Sequence, residues 1–507
     1  MRLVFIVVSI ALTAVLFTLG FYYHTVFYWF LGACIPLMVM GWYDGFQNKH
    51  TIRKNYPLLG RIRYLLESIR PEISQYFIES DLNGRPFNRR ERSIVYQRAK
   101  GVRQTVPFGT QLDTSAPGYE WIAHSLYTTH IKGDLRVRIG GADCKQPYSS
   151  SIINISAMSF GSLSANAILA LNKGAKLDDF AHNTGEGGVS PHHLSPGGDL
   201  IWQIGTGYFG CRNDDGTFNG DLFSKYANHE NVKMIELKLS QGAKPGHGGI
   251  LPAKKNTEEI AAIRHVQAGT AVLSPPTHSS FNDSKGLLSF IKELRDLSNG
   301  KPVGFKLCIG KPSEFEDICK SILQTGIKPD FIVIDGTEGG TGAAPLEFSD
   351  SIGMPLYDAL SFVHNVMIKY DIRKDIKVIA SGRVMTGFDV VKLLAIGADA
   401  VNSARAMMFA LGCIQALQCD SGKCPTGIAT QEHKLMKGLD VTDKGNRVGL
   451  YHKNTVLAVK EILEACGLNS TDDLTRKHIF RRVEENKVMT FDEIYPLEKK
   501  IADVITV

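Results

Sequence analysis

The chain has 507 residues, 44% apolar and 21% charged, an ordinary balance for a folded protein that excludes disorder over most of its length. Its formal charge of +6 is too mild to mark a nucleic-acid binder. The charge is also uneven: residues 1–103 carry 14 basic and 6 acidic side chains, net +8, and residues 104–507 carry 43 and 45, net −2.

No Lys, Arg, Asp or Glu occurs from Leu3 to Tyr43. The stretch is long enough for two membrane spans, 3–22 and 26–43, hinged at Tyr23, His24 and Thr25. Trp29, Trp42, Tyr22, Tyr23 and Tyr43 cluster at the span ends, as interfacial aromatics do. A cleaved signal peptide would have a shorter apolar core and a small-residue cleavage site. The expectation is therefore a transmembrane helical hairpin over 1–48. The alternatives are a signal sequence or single span, and a buried helical hairpin. Arg2 precedes the apolar stretch; Lys49, Arg53, Lys54, Arg61, Arg63 and Arg70 follow it, with Glu67 the single acid between 49 and 70. The positive-inside rule then gives a multi-pass protein with both chain ends and the catalytic domain in the cytoplasm. The basic flank either sets topology alone or also touches lipid head groups.

Residues 49–150 read as a basic juxtamembrane segment and linker. Polar helices are predicted over 60–100 with a break at Arg70-Pro71, and 104–150 looks irregular. From Ile152 short apolar runs alternate with longer amphipathic ones. Strands are predicted at 152–157, 180–184, 234–239, 271–274, 303–308, 331–335, 377–381 and 400–404, with helices after most of them. Eight β/α units fit a (β/α)8 TIM barrel over 151–431, and a doubly wound sheet is the alternative. Gly, Ser, Lys, Arg and Asp crowd the C-terminal ends of these strands, where barrels build active sites. A helical extension is predicted over 432–507, with helices at 447–465 and 479–486.

The loop after 331–335 has Gly336, Gly339, Gly340 and Gly342 close together, which lets backbone N–H groups approach an anion. Gly382-Arg383 and Ala404-Arg405 end the next two strands, where barrels hold phosphate. This favours a phosphate-bearing cofactor over mere tight turns. Lys238, Gln241, Lys244 and His247 leave another strand into a Gly-rich loop. Lys306 lies inside an apolar strand and needs either a ligand or an ion pair with a neighbouring acid. Glu186 stands between glycines, as a substrate-facing acid or a helix cap. Gly205-Thr206-Gly207-Tyr208-Phe209-Gly210 matches a dinucleotide fingerprint, but a turn and no helix follows, so it is rejected. Nine cysteines, eight of them in a domain placed in the cytosol, argue for thiols or a metal centre over disulfides. Cys413, Cys419 and Cys424, followed by Pro425, suggest an iron–sulfur site; three buried thiols are the plain alternative.

Ile155–Gly161 (ISAMSFG), Asn183–Gly188, Gln241–Gly246 (QGAKPG), Ser274-Pro275-Pro276, Lys306, Gly339–Leu346 (GGTGAAPL), Gly382 with Thr386-Gly387, and Cys424–Gln431 (CPTGIATQ) together carry a family. Residues 152–431 resemble the FMN-binding synthase domain of glutamate synthase. The whole chain, with residues 86–100, resembles shorter membrane-anchored members. The resemblance implies FMN in the barrel, with Met158, Ser159, Gln241 and Lys306 near the ring. Gly340, Thr341, Gly382, Arg383, Ala404 and Arg405 would lie near its ribityl phosphate. It implies Lys238, Lys244, His247 and Glu186 on the substrate side, with Lys306, Lys244, Gln241 and Glu186 serving catalysis. Cys413, Cys419 and Cys424 would hold a 3Fe-4S cluster. The implied reaction is reduction of the imine of 2-oxoglutarate to L-glutamate. The small-molecule oxoacid would be joined by an external electron donor, a ferredoxin-like protein or a reductase, because no NADPH domain is read in the sequence. Partners are thus that donor and the lipid membrane, with no nucleic acid. The family's glutaminase domain is replaced by the apolar hairpin, so glutaminase activity is not expected. His247 stands where the family usually has Glu, and Asp420 where it usually has His. The rival functions are a flavin barrel that oxidises a hydroxy acid or amine, and a non-catalytic membrane scaffold.

Overall fold

A computed structural model describes residues 1–102 and 105–498. Positions 103–104 of the linker and 499–507 of the C-terminal extension lie outside the described residues. The chain divides into two compact units, Met1–Arg89 and Arg90–Val507.

The first unit opens with two antiparallel helices, α1 (Arg2–Tyr22) and α2 (Val26–Phe46), both long and apolar enough to cross a membrane. Small and polar side chains bring them together. A Cβ on Gly41 would stand 2.1 Å from the Phe5 ring, and the Trp42 indole N–H donates to Ser9 Oγ at 2.8 Å. Only 11% of the apolar window of each helix is buried. The short α3 (Thr51–Asn55) and then α4 (Leu59–Ile73) follow. The predicted break at Arg70-Pro71 does not occur. Pro71 lies near the end of α4, where its missing N–H costs one bond, and the chain loosens only afterwards into a π turn, Ser74–Ile78.

In the second unit eight parallel strands close a barrel: β1 (Ile153–Ile155), β2 (His182–Asn183), β3 (Leu200–Ile204), β4 (Val232–Lys238), β5 (Val303–Leu307), β6 (Phe331–Asp335), β7 (Lys377–Ser381) and β8 (Ala400–Ser403). The TIM barrel expectation is met and the doubly wound sheet is not. The strands are nearly continuous apolar runs, as burial on both faces requires.

One predicted strand leaves the barrel and one that was not predicted enters it. The expected strand at 271–274 is outside the barrel: Val272–Leu273 pairs antiparallel with Ile250–Leu251 in a ribbon carried by the β4–β5 connection. The missing barrel strand is β3, which pairs with β2 and β4. Its sequence is only LIWQI, bracketed by Gly198 and Gly205, and so resembles a turn. Lys238 therefore ends the fourth strand rather than the third. The stretch 104–150 is also less irregular than expected, since Arg136–Ile139 and Tyr148–Ser151 form a hairpin leading into β1.

The predicted helix at 479–486 is a strand. Ile479–Glu484 pairs with Glu120–Ile122 and with Lys487–Thr490. Trp121 stacks on Phe480 at 5.5 Å and Arg481 pairs with Glu120 at 2.7 Å, so partners distant in sequence override a helix-compatible charge pattern. The other C-terminal helix is longer than predicted, Val441–Ala465, and packs on Ala165–Leu177, where a Cβ on Gly174 would meet Val448 at 2.5 Å.

Candidate active site at the strand ends

The loops after β1, β2 and β4 converge. Gly185 fits beneath the β1 loop so closely that a Cβ there would lie 2.6 Å from Ser159 N. Met158 and Ser159 are thereby buried next to Glu186 and its flanking glycines. The Glu186 carboxylate meets Lys238 Nζ at 2.9 Å. Burial alone would push this carboxyl up, but the charges of Lys238, Arg264 and Lys244 hold it below the usual range. Glu186 is thus an ion-paired acid and not a helix cap.

Lys244 is buried, with Nζ donating to Gly248 O at 2.7 Å. Burial lowers its pKa, partly offset by Glu186. Arg264 donates to Phe160 O at 3.1 Å and Ser159 Oγ at 3.5 Å, and burial brings its pKa to about 10. Three cations thus surround one carboxylate. Gln241 is half-buried and its carbonyl accepts from Lys244 N at 3.2 Å. His247 is exposed in the same loop, its N–H donating to Lys244 O at 3.3 Å and its ring edge-on to Phe348 at 5.4 Å.

Lys306 on β5 takes the ion-pair form: Nζ lies 3.3 Å from Asp335 Oδ2 on β6. Asp335 Oδ2 also accepts from Gly242 N at 2.8 Å, which ties the β4 loop to β6. The tie needs glycine, because a Cβ on Gly242 would stand 1.7 Å from Gly336 O. Glu236, buried on β4, accepts from Gln203 Nε2 at 2.5 Å. Burial raises its pKa, and Lys306 pulls it back. Sequence reasoning missed Glu236, Gln203 and Arg264. The signal for Glu236 was the one used for Lys306, a lone charge in an apolar strand.

On the β6–β8 side, Arg405 Nη2 donates to Glu338 O at 2.5 Å. Burial and then the neighbouring Arg383 lower the Arg405 pKa to about 10. A Cβ on Gly340 would lie 2.9 Å from Arg405 Nη1, so the β6 loop lets backbone come against the guanidinium. Gly340 and Thr341 are exposed, and Gly382 and Ala404 are half-buried at the starts of their loops. Arg383 Nη2 meets Glu91 Oε1 at 3.0 Å. Two cations this close, with glycine backbone beside them, match what an FMN phosphate needs.

The cysteine loop borders the same β6 loop: a Cβ on Gly342 would be 3.2 Å from Cys419 Cβ. Cys424 is buried, Cys413 half-buried and Cys419 exposed, so the alternative of three buried thiols fails. The thiols feel one another's charge. Burial pushes Cys413 up to about 11, and Cys419 and Cys424 add to the rise. Burial would also raise Cys424, but hydrogen bonds from Ala429, Thr426 and Ile428 hold it below the usual thiol value. The buried Lys255 donates to Cys419 O at 2.8 Å; burial lowers its pKa, partly offset by Cys419, Asp420 and Cys424. Among the described residues no three His, Cys, Asp or Glu side chains are arranged to hold a single metal ion. Three cysteine thiols with the Lys255 ammonium beside one of them are the donor chemistry that an iron–sulfur group takes.

The Gly205–Gly210 fingerprint does follow a strand, β3, but the next helix begins only at Gly220. Its rejection as a dinucleotide site stands.

The family model described as the conserved region in glutamate synthase matches residues 132–469. The chain is 36% identical over 506 residues to the glutamate synthase large subunit-like protein YerD of Bacillus subtilis, covering 91% of this chain and 96% of that one. It is 37% identical over 326 residues to the archaeal glutamate synthase (NADPH) of Methanocaldococcus jannaschii, covering 64% of this chain and 60% of that one. Among solved structures, flavocytochrome b2 with pyruvate bound superposes with a TM-score of 0.45 at 11% identity, over 89% of this chain and 91% of that one. That likeness carries no further statement about this chain.

Proposed function

The chain belongs to the glutamate synthase family, and from that membership we propose a membrane-anchored FMN and iron–sulfur enzyme that reduces the imine of 2-oxoglutarate, or of a related 2-oxoacid, to the amino acid. At the coarser level it is a glutamate-synthase-like oxidoreductase acting on CH–NH2 donors. The observation that carries the finer reading is the excess of cations at Glu186. Lys238, Lys244 and Arg264 outnumber the one carboxylate, which leaves room for the negative charge of a dicarboxylic acid.

When bound, FMN supplies the hydride and the 3Fe-4S cluster carries electrons singly from a ferredoxin-like protein or a reductase. Met158, Ser159, Gln241 and Lys306 would hold the ring. Gly340, Thr341, Gly382, Arg383, Ala404 and Arg405 would hold the ribityl chain and phosphate. Lys238 and Lys244 would grip the oxoacid carboxylates, and Glu186 keeps the Lys238 ammonium in place for that contact. Lys306, charged against Asp335, offers a fixed positive pole at the strand ends. His247 would sit at the outer edge of the substrate loop. Cys413, Cys419 and Cys424 would hold the cluster, with Lys255 beside it.

The corresponding division is a membrane hairpin over 1–48, a basic linker over 49–150, the barrel with its cysteines over 151–431 and an extension over 432–507. The two apolar helices support the anchor, with the catalytic unit in the cytoplasm.

The test is an anaerobic assay of the purified full chain with a reduced one-electron carrier, ammonium and a panel of 2-oxoacids, read as amino acid formed. Formation of glutamate from 2-oxoglutarate is the expected result. A protein that stays free of flavin and inert after reconstitution would overturn the proposal. Cys419→Ser is expected to lower iron content while flavin content holds.

A further inference from the structure

Helix α4 (Leu59–Ile73) has two unlike faces. At helical spacing Leu59, Ile62, Leu65, Leu66 and Ile69 fall in one stripe roughly 120° wide. Arg63 and Arg70 border the stripe on one side, and Arg61 with the acid Glu72 on the other. Tyr64, Glu67 and Ser68 lie opposite.

The opposite face has partners. The Tyr64 ring takes the Arg53 guanidinium at 4.5 Å and the His50 ring at 5.0 Å, which packs α4 on α3. A Cβ on Gly60 would lie 2.9 Å from Arg53 Cα, so the two backbones touch. The apolar stripe, by contrast, is bare. Leu59, Ile62, Leu65 and Leu66 are all more than half exposed, and Phe77 in the π turn beyond is 84% exposed. A stripe this long and apolar on an otherwise charged helix marks a surface that is covered in the working molecule.

The cover is suggested by what α4 is fastened to. Asp44, fully buried in the last turn of α2, receives Arg61 Nε at 2.7 Å and Nη2 at 2.9 Å, and Leu58 N at 3.3 Å. This two-pronged bond holds the start of α4 at the end of α2 where the apolar hairpin gives way to Lys49, Arg53 and Lys54. Arg2 reaches the same end, its guanidinium 5.4 Å from the Phe46 ring. Both ends of the hairpin and the start of α4 are thus at one level, and that level is basic.

We propose that α4 is an interfacial helix, its Leu/Ile stripe seated at the headgroup boundary of the bilayer that the hairpin enters, with Arg63 and Arg70 at the level of the lipid phosphates. The proposal rests on the membrane reading of α1 and α2. The stripe, its basic borders and its continuity with a membrane exit are what such helices require. The Asp44–Arg61 clamp fixes which face turns to the lipid.

The experiment uses the full chain in vesicles of phosphatidylglycerol and phosphatidylethanolamine. A photoreactive residue, p-benzoylphenylalanine, replaces Leu65, Ser68 or Leu37 in separate samples, and adducts are read by mass spectrometry. Lipid adducts are expected at positions 37 and 65, and several-fold fewer at 68. Adducts at 37 with equal yields at 65 and 68 would overturn the interfacial helix and leave the membrane anchor standing. Protein adducts at 65, with a second copy or another chain, would overturn it in favour of a protein partner. Absence of lipid adducts at 37 would overturn the anchor and the interfacial helix with it.

Discussion

Glu186 is the one acid among Lys238, Lys244 and Arg264, and its titration is the most direct handle on the site. Its carboxyl is held below the ordinary value of 4.5. A group with a depressed folded value stabilises the fold in full above about pH 4.5, and that contribution is lost as the pH falls through the folded value. Gln in its place leaves the buried Lys238 ammonium without a counter-charge, at a cost on the order of 3 kcal/mol near neutral pH. We therefore expect Glu186→Gln to be clearly less stable than wild type at about pH 7 and to converge with it towards about pH 3, measured by urea unfolding across that range. A gap that stayed constant over the range would mean that the pair contributes nothing to the fold. Residues of this kind were partly legible in the sequence. Glu186 and Lys244 stand out because glycines flank them, and Lys306 because its neighbours are apolar. Arg264 lies on a short helix in the β4–β5 connection, far along the chain from the β1 loop it braces, and nothing local marks it.

Strand β3 tests the element scale. Trp202 at its centre is fully buried and stacks on Phe223 at 5.2 Å. Removing such a ring leaves a cavity, and Trp202→Ala is expected to cost about 3–5 kcal/mol. Among the described residues the indole Nε1 has no hydrogen-bond partner, so Trp202→Phe removes an unpaired buried donor along with volume and is expected to cost less than about 2 kcal/mol. Denaturant titration separates the two variants, and equal losses would show that the nitrogen is bonded in solution. Gly242→Ala addresses the next element. Its Cβ cannot occupy a place 1.7 Å from Gly336 O, so the β4 and β6 loops must part and the Gly242–Asp335 bond must lengthen. We expect flavin affinity to fall at least about tenfold, some 1.4 kcal/mol, by fluorescence titration. Unchanged affinity would separate the loop junction from cofactor binding. Apolar β-branched runs such as Phe331–Asp335 and Lys377–Ser381 were readable because burial on both faces leaves that mark. Leu200–Ile204 was passed over because Trp202 and Gln203 interrupt its aliphatic run, and Val272–Leu273 was taken for a barrel strand because two residues are too few for periodicity to speak. Ile479–Glu484 was misread because its partner, Glu120–Ile122, is remote in sequence.

At the scale of the whole molecule, the two compact units give a separable prediction. A chain lacking Met1–Arg89 is expected to stay in the supernatant on ultracentrifugation and to bind flavin like the full chain, which should pellet with membranes. A truncated chain that still pellets, or a full chain that does not, would remove the anchor from the apolar helices. The architecture was legible as a whole even where a strand was misplaced. One strand gained at Leu200–Ile204 and one lost at Val272–Leu273 leave β5 to β8 in their expected order. That cancellation has a source in polymer statistics. β4 ends at Lys238 and β5 begins at Val303, yet the two are neighbours in the ladder, with Glu236 opposite Gly304. The closure entropy of such an excursion grows only with the logarithm of its length, about 0.6 kcal/mol for each doubling. The barrel can therefore carry a ribbon, two helices and the side chains of Gln241, Lys244, Lys255 and Arg264 between adjacent staves at little conformational cost. Its chemistry can diverge by lengthening one connection while the eight-stranded hoop keeps its circumference.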